Sequence, residues 1–321
     1  MAIRILRPGM LTTVQDLGRF GFQKSGMAVS GAMDTLALQL GNIILGNLGN
    51  EAGLECTMIG PTIYFDKGQL IAITGGDLSP NINDQPTSMW KPIYVSAGST
   101  LSFGRPASGC RSYISFWGGL DIPAILNSSA TYVSGKMGGW HGRPLEKEDE
   151  ISFHKHVDKQ KKGVSWYINP TLYPDLSSRT IRVTKGPHLE LFEGTSIVDF
   201  FSNTFSIQNE SDRMGYRLDG PPLQLKQPTS ILSAAVTFGT VQIPSQGHAI
   251  ILMADHPTTG GYPIIGQVAT ADLPLLAQIR PQEHIHFEFV TLAEAQQLLA
   301  DQHRQLNRLR QSISLKYEQS T

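Results

Sequence analysis

The sequence predicts a mainly β protein with few helices, built around two cores. Three observations carry this reading. Short β-branched, aromatic or alternating runs recur between glycines and prolines. Only two long stretches show a helical period. A polar stretch near the middle of the chain separates two similar series of strands. The chain has 321 residues, enough for two domains of ordinary size.

The strand-like runs come in order at Gln69 to Thr74, Tyr113 to Trp117, Arg182 to Thr184, Ala249 to Met253 and His284 to Phe289. Many short strands at regular spacing indicate sandwiches or barrels. The first helix is expected over Ala32 to Leu45, where Met33, Leu36, Ala37, Leu40, Ile43 and Ile44 fall on one face and Ser30 or Gly31 caps the start. A short helix is expected over Asp272 to Gln278, with Pro274 near its start. The clearest helix runs from Leu292 to Leu309: Thr291 and Glu294 form a capping box, and Leu292, Ala295, Leu298, Leu299, Leu306 and Leu309 make the apolar stripe.

A faint repeat supports two similar β-domains. A polar turn followed by an alternating strand ending in Phe occurs at 97–103, 147–153 and 281–287, with Gly138-Gly139-Trp140 before the second copy and Gly260-Gly261-Tyr262 before the third. The expected domains are residues 1–160 and 161–321, joined through the polar stretch around His154 to Gly163, the second carrying the C-terminal helix.

Composition narrows the function classes. With 40% hydrophobic and 17% charged residues the chain reads as a soluble globular protein. Its net charge of −1 and lack of a basic stripe argue against nucleic acid as a partner. No apolar stretch approaches the ~20 residues that span a bilayer, and Arg4, Arg7 and Pro8 interrupt any secretory apolar region. Cys56 and Cys110, far apart, read as small core residues in a reducing cytoplasm. No glycine-rich phosphate loop, G-x-G-x-x-G helix start, G-x-S-x-G elbow, C-x-x-C or H-E-x-x-H is present. His154/His156 and His284/His286 share a strand face at i, i+2, but neither pair has an obvious third metal ligand, and no metal is expected.

The chemistry-bearing candidates are three elements in which polar side chains and a charge stand beside a glycine. The first is Thr12 to Arg19, where Gln15 donates and accepts, Asp16 is a candidate catalytic carboxylate and Arg19 suits bidentate capture of a carboxylate or phosphate. Asp16 and Arg19 are three apart, a spacing that equally suits mutual pairing. The second is Ser211 to Gly215, where Asp212 and Arg213 pose the same choice and Arg217 adds a cation. The third follows the apolar run Ala249 to Ala254. Asp255 is a third candidate catalytic carboxylate, and Thr258, Thr259, Gly260, Gly261 and Tyr262 supply hydroxyls and adjacent glycines able to take positive φ. Arg111 and Arg143 each lie near glycine-rich sequence. Together these residues read as a site for a small polar anion assembled from both halves.

At these motifs the chain resembles the C subunit of bacterial ATP-dependent 5-oxoprolinase, the KipA or biotin-dependent carboxyltransferase-like family, also called allophanate hydrolase subunit 2. The matching residues are T-T-V-Q-D-L-G-R-F-G from Thr12, S-G-A-M-D from Ser30, L-E-C-T-M-I-G-P-T from Leu54, G-G-L-D-I-P from Gly118, S-D-R-M-G-Y-R-L from Ser211 and T-T-G-G-Y-P from Thr258. They run in order from about residue 3 to 290, far more specific than one motif. Two departures stand out: Ser129 replaces an arginine of the family's G-S-R-S-T, and His256-Pro257 precedes T-T-G-G-Y-P where the family has Arg-Gln or Gln-Gln.

The resemblance implies two tandem cyclophilin-like β-barrel domains. It also implies partners, a KipI-like B-type subunit and an A-type subunit, with which the complex opens 5-oxo-L-proline to L-glutamate using ATP. This chain alone is expected to bind no cofactor. The resemblance leaves two alternatives: a carboxyltransferase subunit of a urea or amide carboxylase, with a pocket for biotin, or a non-catalytic protein that sequesters a KipI-like kinase inhibitor.

Overall fold

The computed structural model describes residues 2–157 and 166–319. The expected boundary at 160/161, and most of the basic stretch around it, lie outside the described residues. The fold class is the one the sequence predicts: mainly β, with four helices among the described residues. Two compact units are drawn from interleaved parts of the chain. The first comprises Met1–Arg19, Asp34–Pro174 and Arg304–Thr321; the second comprises Phe20–Met33 and Asp175–His303.

In the first unit two antiparallel sheets share one core. One has the strand order Glu150–Ile151, Ile3–Arg7, Thr62–Phe65, Thr100–Phe103, Pro80–Ile82 and Gln85–Pro86. The other has the order Leu11–Gln15, Gly53–Thr57, Ser108–Phe116, Gln69–Asp77 and Ile93–Val95. Ile3, Ile5, Ile63 and Phe65 from the first meet Val14, Leu54, Ile73 and Ile114 from the second, all fully buried. The first sheet follows the period-2 pattern of a strand with one core face, seen in I-R-I-L-R. The run Q-L-I-A-I-T instead is buried on both faces, because helix α1 (Thr35–Ile44) covers its outer side. Leu36, Leu40 and Ile43 pack there with Leu70 and Ala72, and the Thr74 hydroxyl donates to Ala37 O at 2.7 Å.

Helix α1 starts later than the expected Ala32. Ser30 and Gly31 have φ of 57° and 90°, so the chain is still turning there. Asp34, not Ser30 or Gly31, caps the helix: its Oδ1 accepts from Ala37 N at 2.9 Å.

The second unit contains a closed seven-strand barrel. Its order is Thr180–Lys185, Ile264–Val268, Thr240–Gln242, Ile250–Leu252, Gly215–Asp219, Thr204–Ile207 and His284–Phe289, which returns to the first strand by parallel pairing. Ile181, Val183, Val241, Ile251, Ile265, Ile285 and Phe287 fill it. Helix α2 (Gly194–Ser202) has no counterpart in the sequence reading, because G-T-S-I-V-D-F-F-S is rich in β-branched and aromatic residues. Tertiary packing overrides that preference: the Phe200 ring stacks on Phe287 with centroids 4.4 Å apart. The expected short helix is present as a 3-10 turn, Thr270–Asp272, running into α3 (Leu273–Gln278).

The C-terminal helix α4 (Leu292–Gln319) begins at the expected capping box. Thr291 N donates to Glu294 Oε2 at 2.7 Å and Glu294 N to Thr291 Oγ1 at 3.3 Å. It continues past Leu309, with Ile313 buried and the Tyr317 hydroxyl donating to Ile44 O at 3.2 Å. Leu292, the first residue of the expected stripe, is instead 65% exposed. No helix among the described residues is long and apolar enough to cross a membrane.

Candidate functional site

In the first unit, the edge strand Leu11–Gln15 delivers the first candidate element to the segment 127–131. Asp16 is buried and accepts three hydrogen bonds: Gly18 N at 2.7 Å and Ser128 Oγ at 2.7 Å on Oδ1, and Ser129 N at 2.6 Å on Oδ2. Arg19, fully buried, donates from Nη2 to Ala130 O. Gln15 Nε2 donates to Thr13 Oγ1 at 3.0 Å and Thr131 O at 3.1 Å. Asp16 and Arg19 thus each hold the 128–131 segment, and the spacing that suits mutual pairing is used for this instead. The Ser129 hydroxyl donates to Ile122 O at 3.2 Å, so the position that carries arginine in the resembling family is here a short link within the loop. Gly138 and Gly139, with φ of 68° and 53°, close over the same segment. A Cβ on Gly138 would lie 2.1 Å from Ala130 O, and one on Gly139 would lie 1.8 Å from Thr131 Oγ1.

Arg111 belongs to a second buried group in the same unit. Its Nε lies 3.9 Å from Glu55 Oε1. Glu55 Oε2 accepts from the Tyr113 hydroxyl at 2.7 Å, and the Tyr113 oxygen accepts from Asp34 N at 2.8 Å. Asp34 Oδ2 accepts from the Tyr173 hydroxyl. Burial, then the Glu55 and Asp34 carboxylates, push the Tyr113 phenol well above its ordinary pKa, so it stays protonated and donates. The sequence reading missed Glu55, Tyr113, Asp34 and Tyr173. Glu55 carries a usable signal: a carboxylate between Leu54 and Cys56 in a strand paired on both sides needs a buried partner. Arg143, also named from sequence, makes a bidentate pair with Asp149 at 2.7 and 2.8 Å within its own turn.

In the second unit, the Ser211 to Gly215 element divides into an exposed part and a buried part. Asp212 is exposed, and its Oδ1 accepts from Met214 N at 2.8 Å and Gly215 N at 3.2 Å, an Asx-type turn. Arg213 is buried and pairs with Asp255, not with its neighbour Asp212. Nε donates to Oδ2 at 3.0 Å and Nη2 to Oδ1 at 2.9 Å, in the planar fork geometry. Arg213 Nη2 also donates to Gly31 O at 2.6 Å, and the Ser30 hydroxyl to Asp255 Oδ1 at 2.7 Å. Two candidates assigned separate roles from sequence therefore form one ion pair. Arg217 is exposed on the barrel strand Gly215–Asp219.

His256 follows Asp255 and is buried, with Nδ1 2.6 Å from Pro257 O. Burial lowers its pKa, outweighing the Pro257 carbonyl and the Asp255 charge, which act in the opposite direction. A histidine whose folded pKa lies below its unfolded value favours folding above the unfolded pKa, and that contribution fades as pH falls. The thermal midpoint is therefore expected to drop as pH goes from 7 to 5, with the His256→Gln variant showing a shallower drop over the same range. Equal slopes for the two proteins by differential scanning calorimetry would refute this.

The T-T-G-G-Y-P element forms a short ribbon outside the barrel: Thr259–Gly260 pairs antiparallel with Ala234–Ala235. The expected positive φ is absent from both glycines. They serve close approach instead: a Cβ on Gly260 would lie 2.4 Å from Gln242 Nε2. Beyond the ribbon Gly261, half-exposed Tyr262 and Pro263 form one wall of a cleft of about 610 Å³, completed by residues 222–225, 228–231 and 243–247. Of the residues named from sequence, Gly261 and Tyr262 line this cleft; the charged ones do not.

Two further sequence candidates are settled locally. His154 Nδ1 lies 3.6 Å from Asp121, and His286 Nε2 lies 2.8 Å from the Thr180 hydroxyl. Among the described residues, no group of three or more His, Cys, Asp or Glu is placed to hold a metal ion. Cys56 and Cys110 are both buried, and burial pushes the Cys56 thiol upward, away from thiolate chemistry.

Comparison with known proteins accords with this architecture. The family model described as carboxyltransferase domain, subdomain A and B, matches residues 25–289. A Haemophilus influenzae protein named as the C subunit of 5-oxoprolinase is 38% identical over 315 residues, covering 98% of this chain and 99% of its own. Its Escherichia coli namesake is 35% identical, covering 96% and 97%. The solved structure of K. lactis urea amidolyase superposes with a TM-score of 0.90 at 31% identity; the match covers 96% of this chain but only 20% of that much longer one. The chain belongs to the carboxyltransferase-domain family that includes the 5-oxoprolinase C subunits.

Proposed function

We propose that this chain is the C subunit of an ATP-dependent 5-oxoprolinase, acting with B-type and A-type partner subunits to open 5-oxo-L-proline to L-glutamate. The observation that carries the reading is the near end-to-end match to two proteins named as 5-oxoprolinase C subunits. The chemistry needs an activated lactam, because an amide carbonyl is a poor electrophile. Transfer of the ATP γ-phosphoryl group to the lactam oxygen makes that oxygen a leaving group. One water adds to the carbon and the ring C–N bond breaks, the nitrogen taking up a proton, which leaves an acyl phosphate. A second water then hydrolyses that acyl phosphate to the carboxylate and inorganic phosphate. A subunit serving this reaction must orient a small ring and stabilise negative charge as it develops. Buried hydroxyl and amide donors on a rigid barrel suit that task.

The carboxyltransferase reading is kept because the superposition on urea amidolyase extends over 96% of this chain. Reconstitution separates the two. The purified chain with ATP and 5-oxoproline is expected to release no glutamate, and adding the B-type and A-type subunits from the same organism is expected to restore ATP-dependent release. Glutamate release by the chain alone would refute the need for partners. Incorporation of labelled bicarbonate into an amide substrate, with a biotin carboxylase supplied, would favour carboxyl transfer. A stable complex with the B-type subunit and no turnover under any condition would leave a purely binding role.

A further inference from the structure

The last turns of helix α4 carry a pattern of their own. Arg310, Ile313, Ser314, Tyr317 and Glu318 fall at i, i+3, i+4, i+7 and i+8, one stripe of a helix, and all five line a single cleft of about 450 Å³ in the first unit. The turn after α1 supplies the facing wall, with Trp117 beside it. Ile43, Leu45 and Ile313, all buried, make the lining apolar. The turn is tied down. Asn47 Nδ2 donates to Phe116 O at 2.8 Å, and Gly118 N donates to Asn47 Oδ1 at 2.9 Å. Glu51 accepts from Leu48 N at 3.0 Å and from Gly49 N at 2.9 Å. Gly46 and Gly49, with φ of 73° and 105°, let the turn approach α4. A Cβ on Gly46 would lie 2.9 Å from the Tyr317 ring, and one on Gly49 would lie 2.9 Å from Arg310 Nη2. This fixed turn holds Leu48 88% exposed at the edge of the cleft. A single exposed leucine is ordinary. A leucine fixed outward at the lip of an apolar cleft is a knob beside a hole.

The charges supply a second, independent observation. Arg310 and Glu318 lie four residues to either side of Ser314, about 6 Å each way along the helix axis. Arg310 Nη1 makes a long bond, 3.4 Å, to Asn307 Oδ1 in its own helix, and among the described residues it forms no ion pair. A two-fold axis beside Ser314 lays two copies of the helix antiparallel. It then sets the Arg310 of each copy opposite the Glu318 of the other. Ser314, exposed and small, falls at the crossing point, where a short side chain lets two helices approach closely. The same rotation carries each Leu48 toward the cleft of the other copy. A two-fold contact needs knob and hole, and cation and anion, on one patch of the same chain, and this patch has both pairs.

We propose that this patch is a two-fold interface between copies of this chain, with Leu48 of each seated in the cleft of the other and Arg310 paired with Glu318 across the axis. The apolar insertion carries most of the affinity, because ion pairs at an exposed rim contribute little and chiefly set the register. A small ligand would fill the cleft but leave Leu48 in water. The dimer goes beyond the oxoprolinase reading and does not depend on it.

Sedimentation equilibrium of the purified full chain, over a wide concentration range, is expected to show a reversible monomer–dimer equilibrium. Leu48→Asp should raise the dissociation constant about a hundredfold, because symmetry removes two buried leucines from one interface. At so exposed a position it should leave the thermal midpoint of the monomer unchanged. Arg310→Glu should weaken the dimer about tenfold. Adding Glu318→Arg should bring it back to within about threefold of wild type, because the exchanged charges again face each other. Cross-linking gives a separate readout. Ser314→Cys should yield a covalent dimer with a short bis-maleimide, whereas Arg308→Cys, exposed but off the stripe, should not. Cys56 and Cys110 are buried and should stay unreactive in the folded chain. A wild type that stays monomeric throughout, a dimer untouched by Leu48→Asp, or a double exchange no better than Arg310→Glu alone would each overturn the proposal. A monomeric wild type whose complex with the B-type subunit is lost in Leu48→Asp would overturn it too, and would give the patch to that subunit.

Discussion

Asp255→Ala is expected to destabilise the second unit by about 3–5 kcal/mol, the usual cost of leaving one partner of a buried ion pair uncompensated. Asp255 accepts both arms of the Arg213 fork and the Ser30 hydroxyl, with both charged side chains nearly excluded from solvent. Removing the carboxylate strands a guanidinium that cannot lose its proton. Arg213→Lys keeps the charge but not the two parallel bonds, so it should cost less, about 1.5–3 kcal/mol. Replacing both partners, as Arg213→Met with Asp255→Leu, should be milder than Asp255→Ala alone, because no charge is left buried without its partner. Urea denaturation of these variants beside the wild type measures all of this. A double variant less stable than Asp255→Ala would show that the two residues do not act as a pair. The same set decides the role of Asp255 in turnover. Full activity per folded molecule in the reconstituted assembly would make the pair a brace for the barrel strand ends; lost activity at retained fold would return Asp255 to the chemistry.

This pair also shows where the sequence stops being readable. Arg213 and Asp255 are both conspicuous, each beside a glycine or an apolar run. Sequence alone offers Asp212 as the partner because it is adjacent. The true partner is 42 residues away, on the loop after a neighbouring strand. Nothing in local spacing carries that information, since it depends on barrel register. Local signals fare better: the Thr291–Glu294 capping box marks the start of α4, and alternation marks His284–Phe289 to the residue. Helix α2 is illegible for the opposite reason, because its residues prefer strand and only the packing of Phe200 on Phe287 makes it helical. The Gly260-Gly261 pair is legible as special, but for the wrong cause. Positive φ is the natural expectation, whereas the need is for space beside Gln242, a residue in an otherwise ordinary strand.

Asp16→Ala is expected to cost about 2–4 kcal/mol, the second large effect, and to loosen one loop in particular. Three donors converge on this carboxylate, and two of them, Gly18 N and Ser129 N, are main-chain groups that cannot turn away. Each charge-assisted bond is worth about 1.5–3 kcal/mol, and a donor left unpaired in the interior adds a desolvation penalty, while relaxation and entering water return part of the total. Asp16→Asn preserves shape but presents an NH₂ where one oxygen accepted, so it should fall between wild type and alanine. Position-resolved hydrogen exchange gives the sharper reading. Protection at Ser129 and Ala130 should collapse in Asp16→Ala, because Ser129 N donates to Asp16 itself and Ala130 N donates to the Ser128 hydroxyl that Asp16 orients. Protection in the core strand Gln69–Asp77 should follow only the global loss of stability. A uniform loss across both segments would mean that Asp16 supports the unit as a whole and not the loop. A loop-confined loss would separate the two readings of this element by experiment. If the reconstituted assembly then fails to turn over while the folded fraction stays high, segment 128–131 is part of the substrate cradle; if turnover persists, T-T-V-Q-D-L-G-R holds a loop that the chemistry does not use.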